Sequence, residues 1–127
     1  MSTSKKYDEL LKFMYDEFNS GKNASGHGEY IQVLISHFQS KSEDNRLGNV
    51  YDQEGAVRHF IRNGLIAAVD VQGNIITRAR DAYLHGRMQP TIKGQKYLQE
   101  KRMGVANAVA SVLGTFFGKF IKSILGK

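Results

Sequence analysis

The first half of the chain carries apolar residues at the three- and four-residue spacing of amphipathic helices. This spacing predicts a first helix over 7–18, a second over 29–41 and a third over 50–63. The polar segments NSGKNASGHG and KSEDNRLGN separate them. The apolar positions expected to face a common core are Tyr7, Leu10, Leu11, Met14, Phe18, Ile31, Leu34, Ile35, Phe38, Val57, Phe60 and Ile61.

The pattern changes after Gly64, which is expected to end the third helix. The segment GLIAAVDV predicts a strand, Gln72-Gly73-Asn74 a tight turn, and IITRAR the returning strand of a hairpin. The segment RDAYLHGRMQP is less regular, with room for a further short strand or a turn near His85-Gly86.

A last helix is expected in the segment IKGQKYLQEKR, with Thr91 as its N-cap and Pro90 ending the segment before it. The positions expected to face inward are Ile92, Tyr97 and Met103. Together these elements predict a fold that is mainly α with a small β-hairpin, in the α+β class.

Three helices, a hairpin and a helix follow one another in the order of a winged helix-turn-helix domain. Two short motifs extend the similarity: RHFIRNGLIAAVDV, in which a helix runs through Gly-Leu-Ile into a strand, and TIKGQKYLQEK, with a Thr-x-x-Gly-x-x-Tyr-Leu run. Through them residues 5–103 resemble the YjcQ-like prophage proteins and, more distantly, MarR- and PadR-type regulators. The resemblance implies a winged-helix domain over 5–103.

The last segment, residues 104–127, contains no acid and three lysines among small and apolar residues. It predicts a long C-terminal amphipathic helix. From Val105 to Leu125 there are 21 residues, close to the ~20 that cross a bilayer. A polar stripe runs along Asn107, Ser111, Thr115, Lys119 and Lys122.

A second face of this segment repeats a small residue every four positions, and we call these residues the small-residue row: Ala106, Ala110, Gly114 and Gly118. Small residues at that spacing let two helices approach closely. Apolar surface of this extent is expected to be buried against lipid, against other copies of the chain or against the domain itself. We favour membrane contact, with or without assembly, over a soluble oligomer or burial in the domain. The residues expected to carry membrane contact and oligomerisation are Ala106, Ala110, Gly114, Phe116, Phe117, Gly118, Phe120, Ile121 and Ile124.

Composition places the chain among globular proteins, with 41% hydrophobic and 24% charged residues in 127. The absence of cysteine excludes a disulfide framework and fits a reducing cytoplasm. The N-terminal segment carries acids within ten residues and resembles no signal peptide. We therefore expect a cytoplasmic protein that is peripherally or conditionally associated with the membrane.

The net charge of +6 is unevenly distributed. Residues 1–57 carry six Lys and Arg against nine Asp and Glu, whereas residues 58–127 carry twelve against three. A basic half attracts phosphate, in nucleic acid or in the headgroups of an anionic membrane. A solvated basic face without a ligand is the alternative.

Candidate nucleic-acid contacts lie in this basic half. Arg58 and Arg62 are four residues apart on the third helix, and Arg78 and Arg80 alternate on the predicted returning strand. The full set is Arg58, Arg62, Arg78, Arg80, Arg87 and Lys93. In the alternative interpretation these cations pair with the acidic first half. The segment Tyr51-Asp52-Gln53-Glu54 places two acids at the start of the third helix, which disfavours base reading there.

Catalytic and metal-binding constellations are not found in the sequence. The glycine-rich segment GKNASGHG lacks the ending of a phosphate loop, and the four histidines have no paired spacing for zinc. Adjacent acids on a helix point apart and indicate solvated surface. We expect neither an enzyme nor a cofactor.

The sequence thus predicts a small bacterial or prophage accessory or effector protein. It would bind a nucleic acid or a protein complex through the basic winged-helix face, and self-associate as a homo-oligomer or act at the membrane through its C-terminal helix. The alternative is a DNA-binding transcriptional regulator whose C-terminal helix is a soluble dimerisation element.

Overall fold

The computed structural model describes residues 3–20, 28–41 and 47–101. These residues form five helices and two strands: α1 Thr3–Asn19, α2 Ile31–Lys41, α3 Val50–Arg62, β1 Ile66–Val69, α4 Ala79–His85, β2 Arg87–Pro90 and α5 Ile92–Glu100. The predictions made for Met103 and for the segment 104–127 lie outside the described residues.

The two strands pair antiparallel, with Ile66 opposite Pro90 and Val69 opposite Arg87. The short segment 28–30 lies along the other edge of β2. There Tyr30 bridges to Arg87, and the Met88 N–H donates to the Glu29 carbonyl at 2.8 Å. The chain is therefore mainly helical with a small antiparallel sheet, as predicted, and the order of its elements is compatible with a winged helix.

The core forms where α1, α2 and α3 pack their apolar stripes around the sheet. The predicted positions Leu10, Leu11, Met14, Phe18, Ile31, Leu34, Ile35, Phe38, Val57 and Phe60 are buried, and Tyr7 and Ile61 are partly buried against them. Helical periodicity was sufficient to find this set because each helix exposes one face and buries the other.

The returning strand predicted in IITRAR is wrong. After the turn, Ile75 makes a single bridge to Val69 and the Ile76 N–H donates to the Ala68 carbonyl at 2.8 Å. The chain then enters α4, and β2 takes the place beside β1. The physical reason is that ARDAYLH is rich in good helix formers and buries Ala82 and Tyr83 on one side of α4.

The end of α3 and the turn after β1 are where the sequence predicted them. Gly64 ends α3 at φ +67°, and Gly73 in the predicted turn has φ +88°. Asp70 holds the turn, because its carboxylate accepts the N–H groups of Gln72 and Asn74, each at 2.9 Å. The turn was correctly predicted, although the segment after it does not return as a strand.

The start of α5 confirms Thr91 as the N-cap and Pro90 as the last residue of the strand before it. The Thr91 hydroxyl accepts the Gly94 N–H at 2.9 Å and donates to the Gly64 carbonyl at 2.6 Å. The inward orientation expected for Ile92 is wrong: its side chain is 46% exposed, since the buried side of α5 is set by Gly94 and Leu98.

The motif Thr-x-x-Gly has a structural explanation at this point. A Cβ added to Gly94 would overlap the carbonyl oxygen of Leu65 and the hydroxyl of Tyr15. The Tyr15 hydroxyl in turn donates to the Leu65 carbonyl at 2.6 Å and accepts the Thr91 N–H at 2.9 Å. Glycine is needed because α5 must approach this hydrogen-bonded group closely.

Candidate nucleic-acid interface

The exposed face of α3 begins with a helix-capping arrangement. The Asn49 side chain accepts the Asp52 N–H, and the Asp52 carboxylate accepts the Asn49 N–H, both at 3.1 Å, which forms a capping box. Asp52 thus has a structural role at the start of the helix. The second acid in the first turns of α3, Glu54, is also engaged within the protein, since it pairs with Arg58.

Arg58 lies one turn from Glu54, and its Nη2 donates to the Glu54 carboxylate at 2.8 Å. The Arg58 side chain is 46% exposed and that of Glu54 17%. Arg58 thus pairs with an acid of the first half of the chain, as the alternative interpretation expected. The two residues belong to the same helix. An exposed pair of this kind is weak, so Arg58 can exchange Glu54 for an external anion.

Lys93 of α5 lies beside the C-terminal end of α3, whose last turn carries Arg62. Arg62 is exposed in the last turn, and the Lys93 side chain lies against Gly64, close enough that its Cδ would be 3.4 Å from a Cβ at that position. Among the described residues neither cation has a carboxylate partner. The C-terminal end of a helix also favours cations through its dipole.

Lys96 belongs to the same surface, and the sequence interpretation missed it. It is exposed three residues after Lys93 on α5, a spacing that places neighbours on one side of a helix. The three-residue spacing from Lys93 was the sequence feature from which Lys96 could have been predicted. We call Arg58, Arg62, Lys93 and Lys96 the α3–α5 basic patch.

The predicted pair Arg78 and Arg80 is placed differently. Arg78 is the N-cap of α4, and Arg80 is exposed within α4, so neither alternates on a strand. Arg80 lines a depression together with Val50, Tyr51 and Glu54 of α3. The prediction that both arginines project from one side of a hairpin is therefore wrong, because the segment folds as a helix.

Arg87 is half-buried on β2. Its guanidinium carbon lies 4.8 Å from the centre of the Tyr30 ring, and its Nη2 donates to the Tyr30 hydroxyl at 3.3 Å. This stacking ties β2 to the segment 28–30. Arg87 lies on a different element from the α3–α5 basic patch and has a structural partner of its own.

Ionisable groups elsewhere form structural pairs. Burial raises the pKa of Tyr15 to about 12, against the lowering effect of its hydrogen bonds with Thr91. Burial and then the neighbouring Asp8 carboxylate, which accepts the Tyr97 hydroxyl, raise the pKa of Tyr97 to about 12. Within residues 3–20, 28–41 and 47–101 no three acids or histidines are grouped as metal ligands.

Comparison with known proteins gives no match: no family, no curated protein and no solved structure is significantly similar to the chain. The resemblance to YjcQ-like proteins therefore stays a prediction. None of the helices in the described part of the chain is long and apolar enough to cross a bilayer. The membrane and oligomerisation residues predicted between 106 and 124 lie outside that part.

Proposed function

We propose that this chain is a small winged-helix accessory protein of bacterial or prophage type that binds a nucleic-acid duplex through the α3–α5 basic patch. The observation that carries the proposal is that Lys93 of α5 lies beside Gly64, at the end of the helix whose last turn carries Arg62, with Arg58 and Lys96 one turn away along their helices. The third helix of a winged helix is the one that approaches a duplex.

The patch is suited to phosphate rather than to bases. Its side chains are long, exposed and cationic, and Arg62, Lys93 and Lys96 have no carboxylate partner among the described residues. The acids at the start of α3 serve the cap and the pair with Arg58. We therefore propose contacts that position the protein on the backbone with little sequence preference.

The salt dependence of binding tests this proposal on the full-length chain. Each phosphate contact contributes about 0.9 to the slope of log affinity against log salt concentration on duplex DNA. The triple variant Arg62→Ala, Lys93→Ala, Lys96→Ala should lower that slope by about 2 to 3. Anisotropy of a labelled duplex at several salt concentrations measures it.

A control variant removes two cations from another part of the protein, against three in the patch variant. Lys12 lies on α1 beside Asp16, and Lys41 ends α2 with its Nζ 5.4 Å from the centre of the Phe13 ring. The variant Lys12→Ala, Lys41→Ala should keep the wild-type slope. A decrease of the same size per cation removed in both variants would mean that net charge, not the patch, determines binding.

The second half of the proposal concerns the acid-free segment 104–127, whose small-residue row and polar stripe favour membrane contact and self-association. While the domain is bound to its partner, it would prevent this segment from acting at the membrane. Release of the partner would let the segment act at the bilayer. Membrane fractionation of the full-length protein against a version ending at Arg102 tests this. Binding to palindromic DNA without any membrane partitioning would instead favour a dimeric regulator.

A further inference from the structure

A depression lies between α3 and α4, beside the N-terminal half of α3. Its volume is about 180 Å³, and its lining residues are Val50, Tyr51, Glu54, Arg80, Tyr83 and Leu84. Small-molecule sites usually measure about 300–1,000 Å³, whereas this one has room for a single large side chain. Its size therefore fits an anchor residue of a protein partner.

The rim of the depression is unusually apolar for an exposed surface. Tyr51 is 81% exposed, Val50 55% and Leu84 39%. Tyrosine and branched aliphatic side chains grouped around a concave site are typical of protein interfaces. A nucleic-acid strand fits less well, since Arg80 is the one cation among the six lining residues and strand binding needs a positively charged groove.

The floor of the depression is rigid. Tyr83 is buried, and its hydroxyl donates to the Gln53 Oε1 at 2.7 Å. The Gln53 Nε2 donates in turn to the Gly48 carbonyl at 3.1 Å. This chain of hydrogen bonds fixes α4 against α3, so the site exists before a partner arrives and binding loses little entropy in forming it.

The charge of the site selects the partner. Glu54 is neutralised by Arg58, and the Asp52 carboxylate is turned to the helix cap. Arg80 has no carboxylate partner among the residues that the structure describes. Asp81 follows Arg80 on α4 but does not line the depression. Of the two charged residues that do line it, Glu54 is paired and the guanidinium of Arg80 is left, which is complementary to a carboxylate.

We infer that this depression, the α3–α4 groove, docks a short acidic segment of a partner protein. A large apolar side chain of that segment fills the groove between Tyr51 and Leu84, and an adjacent Asp or Glu pairs with Arg80. This interaction is distinct from the proposed binding of nucleic acid, because the groove is lined by the N-terminal half of α3 and by α4; its link to the α3–α5 basic patch is the pair of Glu54 with Arg58.

Two peptides of equal size and opposite charge test the inference on the full-length protein: acetyl-Asp-Leu-Phe-Glu-amide and acetyl-Lys-Leu-Phe-Lys-amide. The acidic peptide should shift the backbone amide resonances of residues 50–54 and 80–84 in a two-dimensional NMR spectrum. The basic peptide should bind at least about tenfold more weakly, which corresponds to about 1.4 kcal/mol.

Exchanging the charge of the groove should exchange the preference. Arg80→Glu should make the basic peptide the tighter ligand, and Arg80→Gln should reduce the difference between the two peptides. Arg78→Glu makes the same charge change at the helix cap, outside the groove lining, and should leave the preference unchanged.

Three results would overturn the inference. One is the lack of any shift at residues 50–54 and 80–84 with the acidic peptide. Another is equal binding of both peptides to the wild-type protein. The third is a stronger response of the same residues to a hexamer of thymidine, which would make the groove a site for single-stranded nucleic acid.

Discussion

The hydroxyl of Tyr15 accepts a hydrogen bond from the backbone N–H of Thr91 at 2.9 Å, although the two residues are 76 positions apart. The same hydroxyl donates to the Leu65 carbonyl at 2.6 Å. One buried oxygen thereby ties the first helix to the end of α3 and to the start of α5. The basic patch depends on this junction, since Lys93 sits on the first turn of α5.

Tyr15→Phe removes that oxygen and leaves the Thr91 N–H without its partner in a buried site. An unsatisfied buried donor costs about 1–3 kcal/mol, and we expect the free energy of unfolding to fall by that amount. Urea denaturation followed by circular dichroism measures it. Tyr51→Phe makes the same chemical change at an exposed tyrosine and should alter stability by less than about 0.5 kcal/mol.

Gly94→Ala should be more damaging, because the new Cβ would overlap the Leu65 carbonyl and the Tyr15 hydroxyl. We expect a loss of at least about 3 kcal/mol, since α5 must move away from its contacts. Gly55→Ala is the matched control within α3, where the nearest atom is the Tyr7 hydroxyl at 3.3 Å. Its effect should stay within about 1 kcal/mol, because alanine favours a helix by about that much. Equal loss in both variants would contradict the close approach at Gly94.

Stability should fall at alkaline pH, and Tyr97 should account for part of the decrease. Its pKa is raised from 10.0 to about 12 in the folded protein, so the folded state holds the hydroxyl proton more tightly than the unfolded state does. The resulting stability is fully present below pH 10.0 and is lost as the pH rises towards about 12.

Urea denaturation of wild type and Tyr97→Phe at several pH values above 9 checks this expectation. The variant should lose stability less steeply with pH than the wild type, although Tyr15 contributes a slope of the same sign in both. Tyr51→Phe serves as the control and should follow the wild-type curve. A Tyr97→Phe curve parallel to the wild-type one would remove Tyr97 from the explanation.

The last prediction concerns the small-residue row of the C-terminal segment. Gly114→Ile and Gly118→Ile should reduce self-association, because added bulk keeps two helices apart. Membrane affinity should stay equal or rise, since each buried methylene contributes about 0.8 kcal/mol. Ser111→Ile adds bulk on the polar stripe and should spare the close contact. Crosslinking in liposomes compares the three variants. If both glycine variants crosslink as the wild type does, the assembly hypothesis is wrong.

Helices α1, α2 and α3 were predictable because an amphipathic helix records its buried face in its own spacing. Three further features are also local in sequence: the turn at Gly73, the N-cap at Thr91 and the four-residue spacing of Arg58 and Arg62. Each depends on residues a few positions apart, so the sequence alone determined the helical framework, the α+β class and one part of the basic patch.

The tertiary structure decided what depends on distant residues. Strand pairing is such a property: the alternation in IITRAR suits a strand, but the partner of β1 became Arg87–Pro90, which segment 28–30 flanks on the other edge. A Cβ on Gly28 would overlap the Met88 carbonyl, so this edge depends on a contact across 60 residues. Because residues 79–85 form a helix, Arg80 does not lie on the predicted wing, and it lines the same depression as Tyr51. Spacing along the chain records which face of an element is buried, whereas packing between elements decides which faces meet.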